Sequence, residues 1–182
     1  MAVKLTKKQG INLEKGFDKL SFSVHWDTNA DVDIHCLVLD DGFAPTDDDF
    51  VFYNNKRHPS KSIQHMGDIR SGEGSNGGNE TIKVDLSKFP QDRNEILFTA
   101  SIDGVNETGE HFGNIGRVIC TLNDETNDKV LATYKVDSDL DMEVCGSLCR
   151  VIRKNDSFTF EAVGKSYNSL TELLGNYGLD TE

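Results

Sequence analysis

Alternation of apolar and polar residues is the feature that most restricts how this chain can fold. In the segment KLSFSVHW, apolar side chains occupy every second position: Leu20, Phe22, Val24 and Trp26. A period of two places these side chains on one face of an extended strand and the intervening serines and histidine on the other. An amphipathic helix requires a period of about 3.6 residues instead. The pattern therefore predicts a β-strand with one buried face.

Segments of the same character recur along the chain, and short polar turns such as NDETND and KNDS separate them. These segments are DIHCLVLD, DFVFYNN, ETIKVDL, EILFTASI, RVICTLN, KVLATYKV, EVCGSLCRVI and SFTFEAV. A succession of about ten short strands without intervening helices predicts an all-β protein, built as an antiparallel β-sandwich.

One short helix is predicted near the C-terminus, in SLTELLGNYG. Ser169 and Glu172 have the S-x-x-E spacing of a capping box, in which the serine hydroxyl accepts a hydrogen bond from a backbone N–H of the first turn. The apolar residues that follow have the spacing of one helix face: Leu170, Leu173, Leu174 and Tyr177. Because so short a helix is marginal in isolation, we expect it to pack on the sandwich.

Composition limits the compartment and the partners of the chain. The 182 residues suit a single domain, residues 1–182, whose core needs no metal or disulfide. The chain has 31 Asp and Glu against 19 Lys and Arg, a net charge of −12, which disfavours binding to nucleic acid or to an anionic membrane. The N-terminal residues lack the apolar region of a signal peptide, and no run approaches the ~18 apolar residues of a membrane-spanning helix. We therefore expect a cytoplasmic protein without membrane insertion.

The glycine-rich stretch GDIRSGEGSNGGNE contains the letters of the dinucleotide fingerprint G-x-G-x-x-G, at Gly72, Gly74 and Gly77. That fingerprint requires a helix directly after the glycines, because the N–H groups of the helix N-terminus hold the phosphates. Here the glycines precede NETIKVDLSKFP, which alternates like a strand. The acidic residues of the loop would also repel a phosphate. We therefore reject a dinucleotide site.

Three loops are rich in carboxylates and amides, and two of them follow predicted strands. The first, WDTNADVDIH, begins like an EF-hand loop, but Val32 stands where that loop requires glycine and Val38 where it requires glutamate, which excludes an EF-hand. The second loop follows FVFYNN, and the third is the glycine-rich stretch. Together they offer the oxygen ligands that Ca²⁺ prefers. The candidate ligands are Asp27, Asp31, Asp33, Asn54, Asn55, Asp68, Glu73, Asn79 and Glu80.

Two interpretations of these loops are open. Acidic loops on an acidic protein are commonly solvated surface with no ligand. If the loops converge at one end of the sandwich, however, two carboxylates ~4 Å apart repel by about 4 kcal/mol at an effective dielectric constant near 20. A group of several would then require a cation, raised carboxylate pKa values or local disorder. The positions of the loops in space distinguish the two interpretations.

The chain resembles the TerD family of tellurite-resistance and stress-response proteins. The segments that carry the resemblance occur in order along nearly the whole length: VKLTKKQGINLEK, LSFSVHWD, DVDIHCLVL, FVFYNN, HMGDIRSGEG, NETIKVDLSKFP, HFGNIGRV and FEAVGKSYNSL. The resemblance implies a single TerD-like domain, a β-sandwich that binds calcium through the acidic loops and has no known catalytic activity.

The resemblance also implies roles for individual residues. The acids and amides that match family motifs are Asp27 of Gly-Trp-Asp, Asp31 and Asp33 of Asp-x-Asp, Asn54 and Asn55 of the paired asparagines, Asp68 of His-x-Gly-Asp, and Glu73 and Glu80 at the bounds of the glycine loop. The chain departs from the family in three places. His25 replaces the usual glycine, the insert between Trp-Asp and Asp-x-Asp is shortened to TNA, and Gly78 and Asn79 replace two acids. The two missing charges should weaken one cation site.

These features predict a non-enzymatic calcium-binding protein of the stress-response, tellurite-resistance type that acts through protein partners, with a membrane-bound assembly among the candidates. One alternative is a module that binds a small ligand such as a cyclic nucleotide, for which only Arg70 in the glycine-rich loop supplies positive charge. Another is a metal-dependent phosphohydrolase. His65, near Asp68, is the best candidate base for it, although no recognised catalytic spacing occurs in the sequence.

Overall fold

The computed structural model describes residues 2–69, 77–137 and 139–180, with only the backbone of residues 68 and 69. Within these ranges the chain is mostly β-strand, as the alternation predicts. The strands are β1 (Val3–Leu5), β2 (Gly10–Leu13), β3 (Lys19–Trp26), β4 (Val32–Leu39), β5 (Phe50–Val51), β6 (Ile63–Ile69), β7 (Gly78–Asp85), β8 (Glu95–Ile102), β9 (Val118–Asp124), β10 (Lys129–Lys135), β11 (Cys145–Lys154) and β12 (Ser157–Tyr167). The helices are α1 (Val105–Thr108) and α2 (Leu170–Asn176).

The strands form two six-stranded sheets that pack face to face as a sandwich. Sheet A has the order β1-β10-β9-β3-β7-β6, and sheet B has the order β2-β12-β11-β8-β4-β5. Apart from β1, which runs parallel to β10, the paired strands are antiparallel. The predicted all-β sandwich is confirmed.

The main core lies between the two sheets and contains the inward faces of the alternating strands. Phe22 of β3 stacks on Phe98 of β8 with ring centroids 4.1 Å apart, which joins sheet A to sheet B. Cysteines belong to the apolar interior as well: Cys36, Cys120, Cys145 and Cys149 are all buried free thiols. Because both sheets contribute one apolar face, the sandwich needs no disulfide to hold it together.

Helix α2 covers part of the outer face of sheet B. Leu173 and Leu174 pack there against Leu37 and Leu39 of β4, so that β4 is buried on both faces. The Oγ of Ser169 accepts a hydrogen bond from Glu172 N at 3.1 Å, as the capping-box spacing predicts. The predicted C-terminal helix is confirmed. Among the described residues, no helix combines the length and the apolar character that crossing a membrane requires.

Three strands are not predicted from the sequence pattern: β1, β2 and β6. The first two are only three and four residues long. In β6 the pairing register shifts between His65 and Asp68, which marks a β-bulge. Gly67 lies in the bulge with φ 83°, a conformation that glycine adopts without steric cost. The bulge interrupts the period of two from which a strand is recognised.

Candidate metal centre

Four strand ends meet at one end of the sandwich, which we call the acidic end. Trp26 at the end of β3 pairs with Gly78 at the start of β7, and Val32 at the start of β4 pairs with Ile102 at the end of β8. Four carboxylates lie near one another here, carried by β4, by β7 and by the loops that follow β3 and β8. We call these the acidic cluster: Asp31, Asp33, Glu80 and Asp103.

Glu80 joins the two sheets at the acidic end. Its side chain is 2% exposed, and its Oε2 accepts a hydrogen bond from Ile34 N at 2.8 Å. His65 Nε2 donates to Ile34 O at 3.0 Å, and His65 Nδ1 accepts from Gly67 N at 2.9 Å. Strand β5 pairs with β4 only at Cys36 and Leu37. The backbone of β4 at Ile34 is therefore satisfied by side chains of sheet A.

Asp33 shows the electrostatic consequence of this convergence. Burial raises the pKa of its carboxyl group, and so do a hydrogen bond with Asp103 and the negative charges of Asp103, Glu80 and Asp31, to about 8. Asp103 N also donates to Asp31 O at 2.9 Å, which fixes the two loops together. The charges in the cluster therefore disfavour ionisation of Asp33 at neutral pH.

The neighbouring His35 does not supply a compensating positive charge. Burial lowers the pKa of His35 to about 3, with a further contribution from the nearby His65. Its Nδ1 is hydrogen-bonded to Thr99 Oγ1, and its Nε2 lies 3.2 Å from Ser101 Oγ. At neutral pH this imidazole is uncharged and serves the packing of β4 on β8.

Asp27 already has a cationic partner. Its Oδ2 accepts hydrogen bonds from Arg117 N at 2.8 Å and from Arg117 Nε at 3.3 Å. The backbone hydrogen bond from Arg117, together with that from its side chain, holds the pKa of Asp27 below its usual range. His25 Nε2 lies 3.6 Å from the other oxygen, Oδ1. Asp27 is thus engaged by Arg117, and none of these contacts reaches the acidic cluster.

The remaining predicted ligands lie in different places. Asn55 Nδ2 donates to Phe50 O at 2.8 Å, and Asn54 is exposed in the adjoining turn. Asn79 is exposed on β7, and the pleat of the strand directs it to the face opposite Glu80.

Two predicted ligands belong to the glycine-rich stretch. The backbone of Asp68 pairs with Glu80 across β6 and β7, and Glu73 lies outside the described residues. The strand that begins at Gly78 directly after the glycines agrees with the rejection of a dinucleotide site, which would require a helix there.

The acidic cluster has the chemistry of a calcium ligand set. Its donors are carboxylate oxygens, and Ca²⁺ takes six to eight oxygens in flexible geometry, including backbone carbonyls and waters. Within the described ranges, no three Asp, Glu, His or Cys side chains are already arranged as a metal site. The carboxylates are near enough for their charges to raise the pKa of Asp33, but they are not arranged as a closed site.

A comparison with family models matches residues 1–177 to the TerD domain. The chain belongs to the TerD family. It is 34% identical to the uncharacterised protein YceE of Bacillus subtilis, over 98% of this chain and 99% of that protein. It is 30% identical to general stress protein 16U of the same organism, over 98% of each. Tellurium resistance protein TerD of Serratia marcescens is 28% identical over 99% of each. These relationships support a stress-response role of the tellurite-resistance type.

A solved structure shows the same TerD fold. The crystal structure of SAV2460, a protein of unknown function, matches with a TM-score of 0.70 at 17% sequence identity, over 91% of this chain and all of that one. At this identity the likeness concerns the fold alone.

One departure from the TerD motifs has a structural reason. A Cβ atom on Gly78 would lie 2.1 Å from a ring carbon of Trp26, so no acid fits at this position while the indole keeps its place. The indole Nε1 in turn donates to Ala30 O at 3.0 Å and thereby fixes the loop between β3 and β4. Glycine at position 78 therefore lets Trp26 pack closely, and the position carries no carboxylate.

Sequence reasoning missed Asp103 and Arg117. Asp103 follows the strand segment EILFTASI directly, and an acid at a strand end was the signal that could have identified it. Its proximity to Asp33 depends on β8 lying antiparallel beside β4, which the local pattern does not specify. Arg117 lies 90 residues from Asp27 in the chain, and no local pattern of this TerD domain links the two.

Proposed function

We propose that this TerD domain binds Ca²⁺ at the acidic cluster and acts, without catalysis, as a cytoplasmic stress-response module through protein partners. The observation that carries the proposal is the convergence of Asp33, Asp103, Glu80 and Asp31: burial of Asp33, together with its contacts to the other three carboxylates, raises its pKa to about 8. A divalent cation would neutralise this repulsion, and the proton on Asp33 would leave as the metal binds. Asp33 and Asp103 are the expected principal ligands.

The geometry of His65 weighs against a metal-dependent phosphohydrolase. The side chain is 2% exposed, and both ring nitrogens are engaged by backbone groups of Ile34 and Gly67. A general base must reach the proton that it abstracts, directly or through one water. His65 instead holds β6 against β4, so calcium at this end would serve stability and recognition rather than hydrolysis.

We expect calcium to stabilise the fold. At a calcium concentration about 100 times Kd, binding to the folded state alone adds about 2.7 kcal/mol to the free energy of unfolding, or roughly 5–10 °C in Tm for a chain of this size. The measurement is a thermal melt of chelator-treated protein with and without millimolar CaCl₂. The double variant Asp33→Asn/Asp103→Asn should lose the shift. Asp156→Asn, which removes a carboxylate from the exposed turn between β11 and β12, should keep it. A Tm that calcium and chelator leave unchanged would count against the proposal.

The raised pKa of Asp33 also predicts a pH dependence. In the folded state Asp33 keeps its proton up to about pH 8, whereas in the unfolded chain it loses the proton near pH 4. The contribution of Asp33 to the free energy of unfolding is therefore present at low pH and is lost as pH rises through about 8. Urea unfolding of the chelated protein at pH 6 and pH 8 should show a loss that Asp33→Asn reduces. With saturating calcium the loss should shrink, since the cation replaces the proton. Identical pH slopes with and without calcium would show that Asp33 is not at the metal site.

A further inference from the structure

A second charged feature lies at the opposite end of sheet A from the acidic cluster. It is a cavity of about 290 Å³, whose base includes the buried residues Leu20, Ser62 and Val84. Five basic side chains line it: Lys19, Arg57, Lys61, Lys83 and Lys88. Only two carboxylates, Asp85 and Glu125, accompany them. We call this site the basic cavity, and it belongs to a chain with 31 acidic and 19 basic residues.

The strands of sheet A hold the basic side chains in register. Gln64 of β6 pairs with Lys83 of β7, and Arg57 forms a bridge with the same Gln64. Lys19 at the start of β3 pairs with Asp85 at the end of β7. Directly opposite residues of neighbouring strands are about 5 Å apart at Cβ, so this register places Arg57, Lys83 and Lys19 around the same cavity.

The charges of the five cations are not neutralised by acids of the described residues. In the part of the chain that the structure describes, none of them forms an ion pair, whereas Arg93, Arg117 and Arg150 all do. The carboxylate of Asp85 is engaged elsewhere: its Oδ1 accepts from Ser87 N at 3.1 Å and from Ser87 Oγ at 2.5 Å. Five cations and two carboxylates around one cavity leave a net positive charge there, which a bound anion would neutralise.

One wall of the basic cavity is fixed by a partly buried chain of hydrogen bonds. His58 Nδ1 lies 2.7 Å from Ser60 Oγ, which lies 2.6 Å from Ser62 Oγ. Between these residues Lys61 adopts φ 65°, which is uncommon for a residue other than glycine, and its N–H donates to His58 O at 2.9 Å. Asp85 N donates to Ser62 O at 2.7 Å and ties this turn to β7. The turn therefore holds Lys61 in place over the cavity.

We propose that the basic cavity binds a small phosphate-bearing anion. Lys and Arg are the side chains that recognise phosphate, by charge and by several N–H donors each. The volume lies near the lower limit of ligand pockets, which suits a small phosphorylated compound. The net charge of −12 disfavours an extended polyanion such as nucleic acid. Along β7, Asp85 is about 17 Å from Glu80, beyond the ~8 Å Debye length of physiological salt, so the acidic cluster repels such a ligand only weakly.

Calorimetric titration with inorganic triphosphate tests this proposal. The protein is first freed of divalent cations, because triphosphate would otherwise compete for them. We expect saturable binding that weakens about tenfold in Lys83→Ala and in Arg57→Ala, the loss of one charge-assisted contact each. Lys129→Ala, an exposed lysine of β10 on the same sheet, is the matched control and should bind as the wild type does. The Asp33→Asn/Asp103→Asn variant should also bind normally, which separates this result from the calcium proposal.

Three results would overturn the proposal. The first is no saturable heat up to millimolar triphosphate at low ionic strength. The second is an equal loss in Lys129→Ala, which would indicate attraction by general charge rather than by the cavity. The third is binding to vesicles containing phosphatidylinositol phosphates without binding of free triphosphate, which would identify a membrane surface instead. Unchanged melting temperatures of Lys83→Ala and Arg57→Ala would establish that the variants are folded.

Discussion

Asp49→Ala is expected to lower the free energy of unfolding by about 3–5 kcal/mol, the usual cost of removing one partner of a buried ion pair. Asp49 is 0% exposed, and its Oδ1 accepts from His58 Nε2 at 2.8 Å. Both carboxylate oxygens accept from Arg93, Oδ1 from Nε at 3.2 Å and Oδ2 from Nη2 at 3.1 Å. Thr46 N and Oγ1 each donate to Oδ2 at 3.0 Å. Alanine would leave the buried imidazole without its carboxylate partner and the largely buried guanidinium with only the exposed carboxylate of Asp92.

Chemical denaturation of Asp49→Ala beside Asp48→Ala measures this effect. Asp48 is the exposed neighbour of Asp49 in the 3₁₀ turn Asp47–Asp49, and its replacement should change stability by no more than about 0.5 kcal/mol. For a chain of this size, the loss in Asp49→Ala corresponds to a fall of roughly 6–20 °C in Tm. Equal, small effects of the two substitutions would show that the network around Asp49 does not stabilise the fold.

The same carboxylate predicts behaviour in acid. Burial acts to raise the pKa of Asp49, but the hydrogen bonds from Arg93, His58 and Thr46 outweigh it and hold that pKa below its usual range. Its contribution to stability is therefore present above the unfolded pKa of about 3.9 and is lost as pH falls through the folded value. The direction is opposite to that of Asp33, so the two carboxylates can be separated by the pH at which each acts.

Because His58 also holds the turn of Lys61, Asp49→Ala should weaken triphosphate binding as well.

Glu80→Ala is expected to destabilise the protein by about 2–4 kcal/mol, because it leaves the buried N–H of Ile34 without an acceptor and opens a cavity between the sheets. Glu80→Gln keeps an amide oxygen in the same place, and its cost should stay within about 1 kcal/mol. The two substitutions therefore separate the structural role of this side chain from its charge.

Calcium distinguishes the two roles further. Glu80→Gln removes one negative charge from the acidic cluster, and we expect it to reduce the calcium-dependent rise in Tm while the fold persists. Denaturation and thermal melts of both variants, each with calcium and with chelator, provide the measurement. A Glu80→Gln protein with the full calcium response would place the metal away from Glu80. A stable Glu80→Ala protein would show that the hydrogen bond to Ile34 contributes little.

The local sequence pattern identifies most strands, but it does not show which strands pair with one another. KLSFSVHW and EILFTASI coincide with β3 and β8. The period of two in KLSFSVHW is a property of the strand itself, whereas β8 is buried on both faces. Strand β6 is not recognised from the sequence because its bulge at Gly67 shifts the alternation of side chains. The helix α2 is recognisable from its cap and its apolar face, both of which are local signals.

The candidate site could be predicted only in part, since it depends on contacts between distant strands. Asp31, Asp33 and Glu80 are identified from the loops, and the structure brings them near one another at the acidic end. Asp103 joins them through the register of β4 with β8, and Arg117 engages Asp27 through the loop before β9. Which acids cluster and which pair with a cation is decided by topology, not by the composition of any single loop.

Calorimetric titration of Ca²⁺ into chelator-treated protein tests the central claim most directly. The account predicts saturable binding by the wild type and by Asp156→Asn, weakened at least about tenfold in Asp33→Asn/Asp103→Asn. A wild-type protein that shows no saturable heat, or a double variant that binds calcium as tightly as the wild type, would contradict it.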